Sequence, residues 1–234
     1  GVAVLIVVLS VMNGFETELR SRILSITSHA TLSVFGAGAE DWPALRKAAL
    51  ADPRLEAVAP FVAGEALLIA DRPKGASAPV GVRGVNPKLE ATVSAIADRL
   101  KSGSLGALEA GSYRMLLGSE LASRLGVAPG DSVVMVVAQG SVTPAGVVPR
   151  MRRFTVSGIF YSGMYEIDNG LALTSLADAQ RVFRLGDRVT GIRLAMHDPY
   201  LAPQASRDVA RALGGGFWVE DWTQRQANFF RSIE

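Results

Sequence analysis

Residues 1–11 (GVAVLIVVLSV) carry no charged side chain, and residues 12–16 (MNGFE) then turn abruptly polar. An uncharged apolar run of this kind has to be taken out of water, into lipid or into a protein core. As a helix rising about 1.5 Å per residue, it covers little more than half of a hydrocarbon core roughly 30 Å thick. The run therefore predicts the outer end of a transmembrane helix that begins upstream of Gly1. Taken alone it also fits a buried core helix or strand. A signal peptide fits less well, because no basic region precedes the run and no small-residue cleavage site follows it.

Beyond that run the composition is globular. The chain has 234 residues, 49% hydrophobic and 20% charged, enough for one large domain or two small ones with a real core. Lys and Arg number 24 against 22 Asp and Glu, and they form no blocks, which argues against nucleic acid as a partner. Cysteine is absent, so disulfides, thiolate zinc sites and a cysteine nucleophile are excluded. His29 and His197 lie far apart in sequence, without a histidine neighbour at metal spacing. Zinc and a Ser-His-Asp triad are both poorly supported, and no P-loop pattern occurs.

Residues 15–26 read as a continuing helix, with Leu19, Ile23 and Ile26 at helical spacing and Glu16–Arg20 and Glu18–Arg22 in the favourable acid-first order. A β-α-β unit follows: a strand over 30–35, a helix over 42–50 capped by Asp41, and a strand over 58–70 with breaks at Pro60 and Gly64. Next come a turn-rich stretch at 72–78, a strand over 80–85, a helix over 89–100 and a strand over 114–117. A short helix over 120–125 is closed by Gly126 and leads through a Pro-Gly turn into a strand over 132–137. Further strands are read at 153–161, 171–174, 191–196 and 217–220, a turn at 164–169, and helices at 176–183 (capped by Ser175) and 204–213. Asp221 caps a final helix bearing Trp222, Phe229 and Phe230, rings suited to a membrane interface or, for at least one of them, to core packing. The two ends match, as if an extramembrane domain were inserted between two transmembrane helices.

Residues 138–149 (AQGSVTPAGVVP) form a loop longer than an ordinary hairpin loop of about 2–5 residues. The loop holds Val142, Val147 and Val148 and no charge, and Arg150, Arg152 and Arg153 follow at its root. Two readings stand. Either the loop docks a protein, apolar contacts giving affinity and arginines orientation, or it folds back on its own domain. Tyr165, Glu166 and Asp168 make a polar knot that reads as a turn. A hydrolase using Asp168 and His29 has no visible nucleophile to go with it.

These residues resemble a known family. Ser10-Val11-Met12-Asn13-Gly14-Phe15-Glu16, with Leu19 and Ile23-Leu24 behind it, is similar to the end of the first transmembrane helix of the LolC/LolE membrane subunits of the lipoprotein-releasing ABC transporter. Thr143-Pro144, Gly146, Pro149, Phe154-Thr155-Val156 and Gly158-Ile159-Phe160 resemble the stretch that holds the LolC hook, a protruding loop that captures the periplasmic chaperone LolA. Tyr165-Glu166 and Asp178-Ala179 fit as well. The similarity runs over essentially the whole chain, and the hook-like loop favours LolC over LolE; a single hybrid subunit with features of both is the other reading.

The resemblance implies an α+β periplasmic domain of the MacB/FtsX superfamily, with a split porter-like subdomain and an inserted β-rich sabre subdomain. The divisions would be 1–15 for the helix end, 16–71 and 186–222 for the porter-like part, 72–185 for the sabre-like part, and 223–234 leading to a second transmembrane helix. The implied hook is Val137, Ala138, Gln139, Gly140, Ser141, Val142, Thr143, Pro144, Ala145, Gly146, Val147, Val148 and Pro149. A basic pad beside it would comprise Arg150, Arg152 and Arg153, with Met151 in place of a polar pad residue and Val133 in place of a basic one. Leu9, Met12 and Phe15 would border a lipid exit. Implied partners are a LolA-like chaperone, a LolD-like ATPase that binds the ATP, a LolE-like or identical second subunit, lipoprotein cargo and the inner membrane. No catalytic residue, metal or cofactor is expected in this chain. A MacB-like efflux subunit or an FtsX-like regulator is the alternative within the superfamily.

Overall fold

The computed structural model describes residues 28–36, 38–143 and 146–224, with side chains described outside 138–148. Leu9, Met12 and Phe15, the helix read at 15–26, Pro144, Ala145, Phe229 and Phe230 lie outside the described residues. Among the described residues no helix is long and apolar enough to cross a membrane.

The strands are β1 Ala30–Val34, β2 Leu55–Ala70, β3 Ser77–Val85, β4 Leu100–Ser102, β5 Arg114–Gly118, β6 Ser132–Thr143, β7 Gly146–Phe160, β8 Leu171–Ser175, β9 Gly191–Met196 and β10 Phe217–Asp221. The helices are α1 Trp42–Ala49, α2 Pro87–Val93, α3 Ser119–Leu125, α4 Tyr165–Gly170, α5 Leu176–Phe183 and α6 Ala202–Ala212. The described strands form one mixed sheet, ordered β10-β1-β9-β2-β3-β8-β5-β7-β4, with β6 pairing both β2 and β7.

One half of this sheet interleaves two β-α-β units. β1 is antiparallel to both β9 and β10, and β9 is antiparallel to β2. So β1 and β2 run parallel with β9 between them, and β9 and β10 run parallel with β1 between them. Parallel strands need a crossover, which α1 and α6 supply. Asp41 accepts the Ala44 N–H at 3.0 Å and starts α1. Both helices cover one sheet face, enclosing Leu32, Ile192, Leu194, Val209 and Trp222. Trp222 is therefore a core ring, its Nε1–H donating to the Pro199 carbonyl at 2.9 Å.

The other half closes on itself. Pairing runs from β2 through β3, β8, β5, β7 and β6 back to β2, a small barrel of six strands. Closure removes the exposed edges that an open sheet presents. Side chains alternate across its wall: Val133, Met135 and Val137 are buried inside, with Leu68, Met115, Leu117 and Phe154, whereas Val134 and Val136 face outward. α3 sends Leu121 and Leu125 into one end of the barrel, and α5 sends Ala179, Val182 and Phe183 into the other. Two 3-10 turns, Ala95–Arg99 and Leu105–Ala107, cover part of the outer wall over Leu116, Phe160 and Leu173.

Three sequence expectations are corrected here. β2 is unbroken from Leu55 to Ala70. Pro60 is paired to β9 only, because the β3 pairing begins at Phe61, so its missing N–H falls where a ladder bond is not required. The helix read at 89–100 is two elements. Asn86 accepts from the Lys88 and Leu89 N–H groups and starts α2 with Pro87 in its first turn, and Ser94 turns extended and ends it. The turn at 164–169 is the short helix α4.

On the face of β2 opposite α1 and α6, α2 packs over Ala57, Ala59 and Ala195. There Arg193 of β9 donates from Nη1 to Glu90 Oε1 of α2, and from Nε to Ser28 Oγ at 3.1 Å. Ser94 Oγ–H donates to the same Glu90 oxygen at 2.7 Å. Glu90 is fully buried and Arg193 nearly so. Burial pushes the Glu90 carboxyl up, but the Arg193 and Arg83 charges beside it more than offset that and hold it below the ordinary 4.5. A depressed folded pKa contributes stability that is fully present above about pH 4.5 and lost as pH falls through the folded value. Glu90→Ala leaves the buried guanidinium uncompensated and is expected to cost about 3–5 kcal/mol in urea denaturation at pH 7. The difference from the unaltered chain should shrink below pH 4, and a pH-independent difference would contradict the assignment.

Candidate docking hairpin at the barrel mouth

The stretch read as a loop at 138–149 is mostly strand. β6 runs on to Thr143 and β7 starts at Gly146, with Ser141 opposite Val148, Val142 opposite Val147 and Thr143 opposite Gly146. The reason lies in what each strand is paired with. β2 holds β6 only over Val133–Val136, and β5 holds β7 only from Thr155 onward. From Val137 to Arg150 the two strands have only each other among the described pairings, so they leave the barrel as a two-stranded ribbon. The register slips between Val137 and Ser141, where four steps on β6 match two on β7. Pro149 lies within that slip, where its missing N–H breaks the ladder. A bulge of this kind bends a ribbon and sets its direction.

The three arginines predicted as a pad do not share one face. Register places Arg150 opposite Val137 and Arg152 opposite Met135, on the side that lower down forms the barrel interior. Both turn over the mouth. Arg150 Nη1 donates to the Val182 carbonyl at 3.0 Å, in the last turn of α5, where helix carbonyls favour a cation. The Arg152 guanidinium lies 3.7 Å from the centroid of the Tyr113 ring. Arg153 points out of the wall with Met151 and pairs with Asp71 at 2.7 Å, its side chain 69% exposed. Val133 is fully buried, so a basic side chain at that position would point into the barrel; the outward neighbour is Val134.

The outer wall below the ribbon is apolar. Leu67, Val136 and Met151 are cross-strand neighbours on β2, β6 and β7, with Pro79 of β3 beside Leu67. Met151 is 62% exposed and Leu67 37%.

Two residues that shape the mouth carry no strong sequence signal. Asp178 of α5 is fully buried and accepts the Gly111 N–H at 2.8 Å and the Tyr113 N–H at 3.1 Å. Tyr113, held with φ of 49°, packs edge-on against Phe154 with centroids 5.6 Å apart while its face receives Arg152. The Asp178 carboxylate therefore sets where the Arg152 charge sits. Asp178→Ala is expected to cost about 3–6 kcal/mol in thermal or urea unfolding, since it removes two backbone hydrogen bonds to a charged group, each worth about 1.5–3 kcal/mol.

The residues weighed for hydrolysis are structural. Asp168 accepts the Ser162 and Gly163 N–H groups at 2.7 and 3.1 Å and closes the turn before α4. His29 Nδ1 accepts the Met196 N–H at 2.9 Å, and burial lowers its pKa, keeping the ring neutral and able to accept.

A family model described as the MacB-like periplasmic core domain matches residues 1–212. The lipoprotein-releasing system transmembrane protein LolC of Xylella fastidiosa strain 9a5c is 46% identical over all 234 residues. The LolC protein of Neisseria meningitidis serogroup B is 38% identical over 236 aligned residues, again the whole chain. The chain spans 55% and 56% of those two proteins' lengths. The LolE protein of Haemophilus influenzae is 29% identical, over the whole chain and 56% of its own length. Among solved structures, the periplasmic region of MacB from Actinobacillus actinomycetemcomitans superposes with a TM-score of 0.54 at 12% identity, covering 89% of this chain and 97% of that one. The extracellular domain of the ABC-type transporter YknZ from Gram-positive bacteria superposes at 0.52 and 10% identity, covering 82% and 98%.

Proposed function

Since the chain belongs to the MacB-like periplasmic core domains, in their LolC/LolE branch, we propose that it is the periplasmic domain of a lipoprotein-releasing ABC transporter's membrane subunit. On this reading it receives lipoproteins drawn from the inner membrane and hands them to a LolA-like chaperone gripped by the ribbon of β6 and β7. The observation that carries the reading is the ribbon itself. Among the described pairings its strands leave a closed barrel with no third strand beside them. Backbone groups on the outer edges of a two-stranded ribbon have no ladder partner among the described pairings, which leaves them able to pair with another chain.

The rest of the assembly follows from the same reading. A LolD-like ATPase binds and hydrolyses ATP, and a LolE-like or identical subunit completes the membrane part. Catalysis, metal and cofactor are assigned to none of this chain's residues. Residues 72–185 form the sabre-like part and 186–222 return to the porter-like part. Leu9, Met12 and Phe15 border the exit through which acyl chains leave. Acyl chains need cover in transit, because each CH₂ kept from water is worth about 0.8 kcal/mol.

At the root of the ribbon, Arg152 on its Tyr113 platform and Arg153 on the outer wall orient the chaperone, and Arg150 holds the ribbon to α5. The apolar wall at Leu67, Val136 and Met151 supplies a seat beneath.

Deleting residues 141–148 is expected to abolish capture of a LolA-like chaperone in a pull-down while leaving the melting temperature of the domain unchanged. Undiminished capture would remove the ribbon from the interface. Arg152→Glu is expected to weaken capture roughly tenfold at low salt, with the deficit shrinking as salt screens the charge. Equal affinity at both ionic strengths would show that this arginine serves the fold alone.

A further inference from the structure

The junction between the two halves is asymmetric. β2 crosses it near Phe61, which is opposite Gly191 of β9 and also opposite Val85 of β3. On one side of β2 lies an open cleft of about 410 Å³. Its walls come from opposite halves: Val34 and the glycine turn at Gly36 on the sheet side, Val137 and Leu185 at the barrel mouth. Its floor is Ala63 and Gly64. Gly64 has no Cβ because Phe183 fills that space; a Cβ there would come within 2.3 Å of the ring. On the other side of β2, over Ala57 and Ala59, the contact is packed. α2 packs there, and Arg193 and Glu90 meet in full burial between the halves.

Alternation along β2 makes these two sides distinct. Ala57 and Ala59 point to α2, whereas Val62 and Gly64 point to the cleft side. A packed ionic contact on one face and a void on the other is the arrangement of a hinge. Bending toward the void needs no packed atoms to be displaced, while bending the other way would compress a dense contact.

We propose that the barrel swings against the sheet half about residues 61–64 of β2, with the Arg193–Glu90 pair as the pivot, closing the cleft. The buried ion pair suits a pivot better than an apolar contact does. It is directional, and it fixes α2 to β9 through one geometry, with Ser28 and Ser94 holding the two partners. Closing brings Val137, the root of the ribbon, toward Val34 and Gly36, so the swing changes where the ribbon points relative to the strand that leads in from residue 28. The hinge stands on the geometry of the junction and does not depend on what the ribbon binds.

The chain holds no cysteine, so spin-label pairs can be introduced without background. Gln204→Cys on α6 and Ser123→Cys on α3 are exposed helical sites in different halves; Lys47→Cys with Gln204→Cys is a control inside one half. Pulsed dipolar distance measurement is expected to give the cross-half pair a second, shorter population that the control pair lacks. A single cross-half distance no broader than the control would overturn the hinge. Arg193→Met together with Glu90→Leu removes the ionic pivot without leaving a buried charge unpaired. It should broaden the cross-half distribution and leave the control unchanged; an unchanged cross-half distribution would overturn the pivot. Should the double variant fail to fold, Ser94→Ala, which takes one hydrogen bond from Glu90, gives the same reading.

Discussion

One strand belongs to two cores. β2 is 16 residues long. Its first part pairs with β9 and lends Leu55 and Val58 to the sheet half, and its second part pairs with β3 and β6 and lends Ala66, Leu68 and Ala70 to the barrel. Neither half is complete without it. A strand at the edge of the four-stranded half would otherwise expose a row of unpaired backbone groups, and without β2 the barrel would open between β3 and β6. The chain meets both needs with the same residues. This ties the part of the domain that leads in from residue 28 to the part that carries the ribbon by a continuous backbone ladder, without a flexible linker.

Closure of the barrel also makes a two-stranded ribbon possible. An isolated hairpin is marginal in water. Here β6 and β7 are anchored by β2 on one flank and β5 on the other, and by Phe154 and Met135 inside. The ribbon is thus an extension of strands already paid for by the core, and its direction is set where the ladder slips at Pro149. The buried Asp178 carboxylate extends this logic to the rim. It holds the turn at Gly111 and Tyr113 in place, and the ring then offers Arg152 a fixed face instead of leaving a long cation to wander.

What could be read in the sequence follows from the range of the interactions. Local signals carried well: Asp41 and Ser175 cap their helices, Gly126 closes α3 in a left-handed conformation, and the alternating Val133, Val134, Met135, Val136, Val137 is a strand with one face buried. Non-local facts did not. Pro60 and Gly64 look like breaks because their local cost is visible and their compensation is not: an empty pairing position for one, the Phe183 ring for the other. Residues 138–149 look like a loop because two prolines and two glycines interrupt them, whereas the antiparallel partner that makes them strand lies across the turn. Arg150, Arg152 and Arg153 look like one patch because they are close in sequence, but a period of two divides them between the mouth and the outer wall. Tyr113 and Asp178 are 65 residues apart, and no pattern in the chain announces their bond.

The buried acids show what kind of work this architecture is built for. Asp168 closes a turn with two backbone N–H groups, Asp178 closes another, Asp221 accepts the Thr223 N–H at the start of the last described helix, and Glu90 joins α2 to β9. Each carboxylate is bound to groups that fix the backbone. An acid or base for catalysis needs instead a site facing a cleft and a second group to act with. The cleft at the junction is lined mostly by Val, Ala, Gly, Leu and Phe, with Glu65 and Thr190 as its polar members. Thr190 is itself engaged, its hydroxyl accepting the Ala63 N–H at 2.9 Å. Polar groups in this domain hold shape, and apolar and cationic groups at the mouth and outer wall are left to make contact. That division suits a domain whose task is to present a surface at the right angle, and it makes the angle between the halves the property on which that presentation depends.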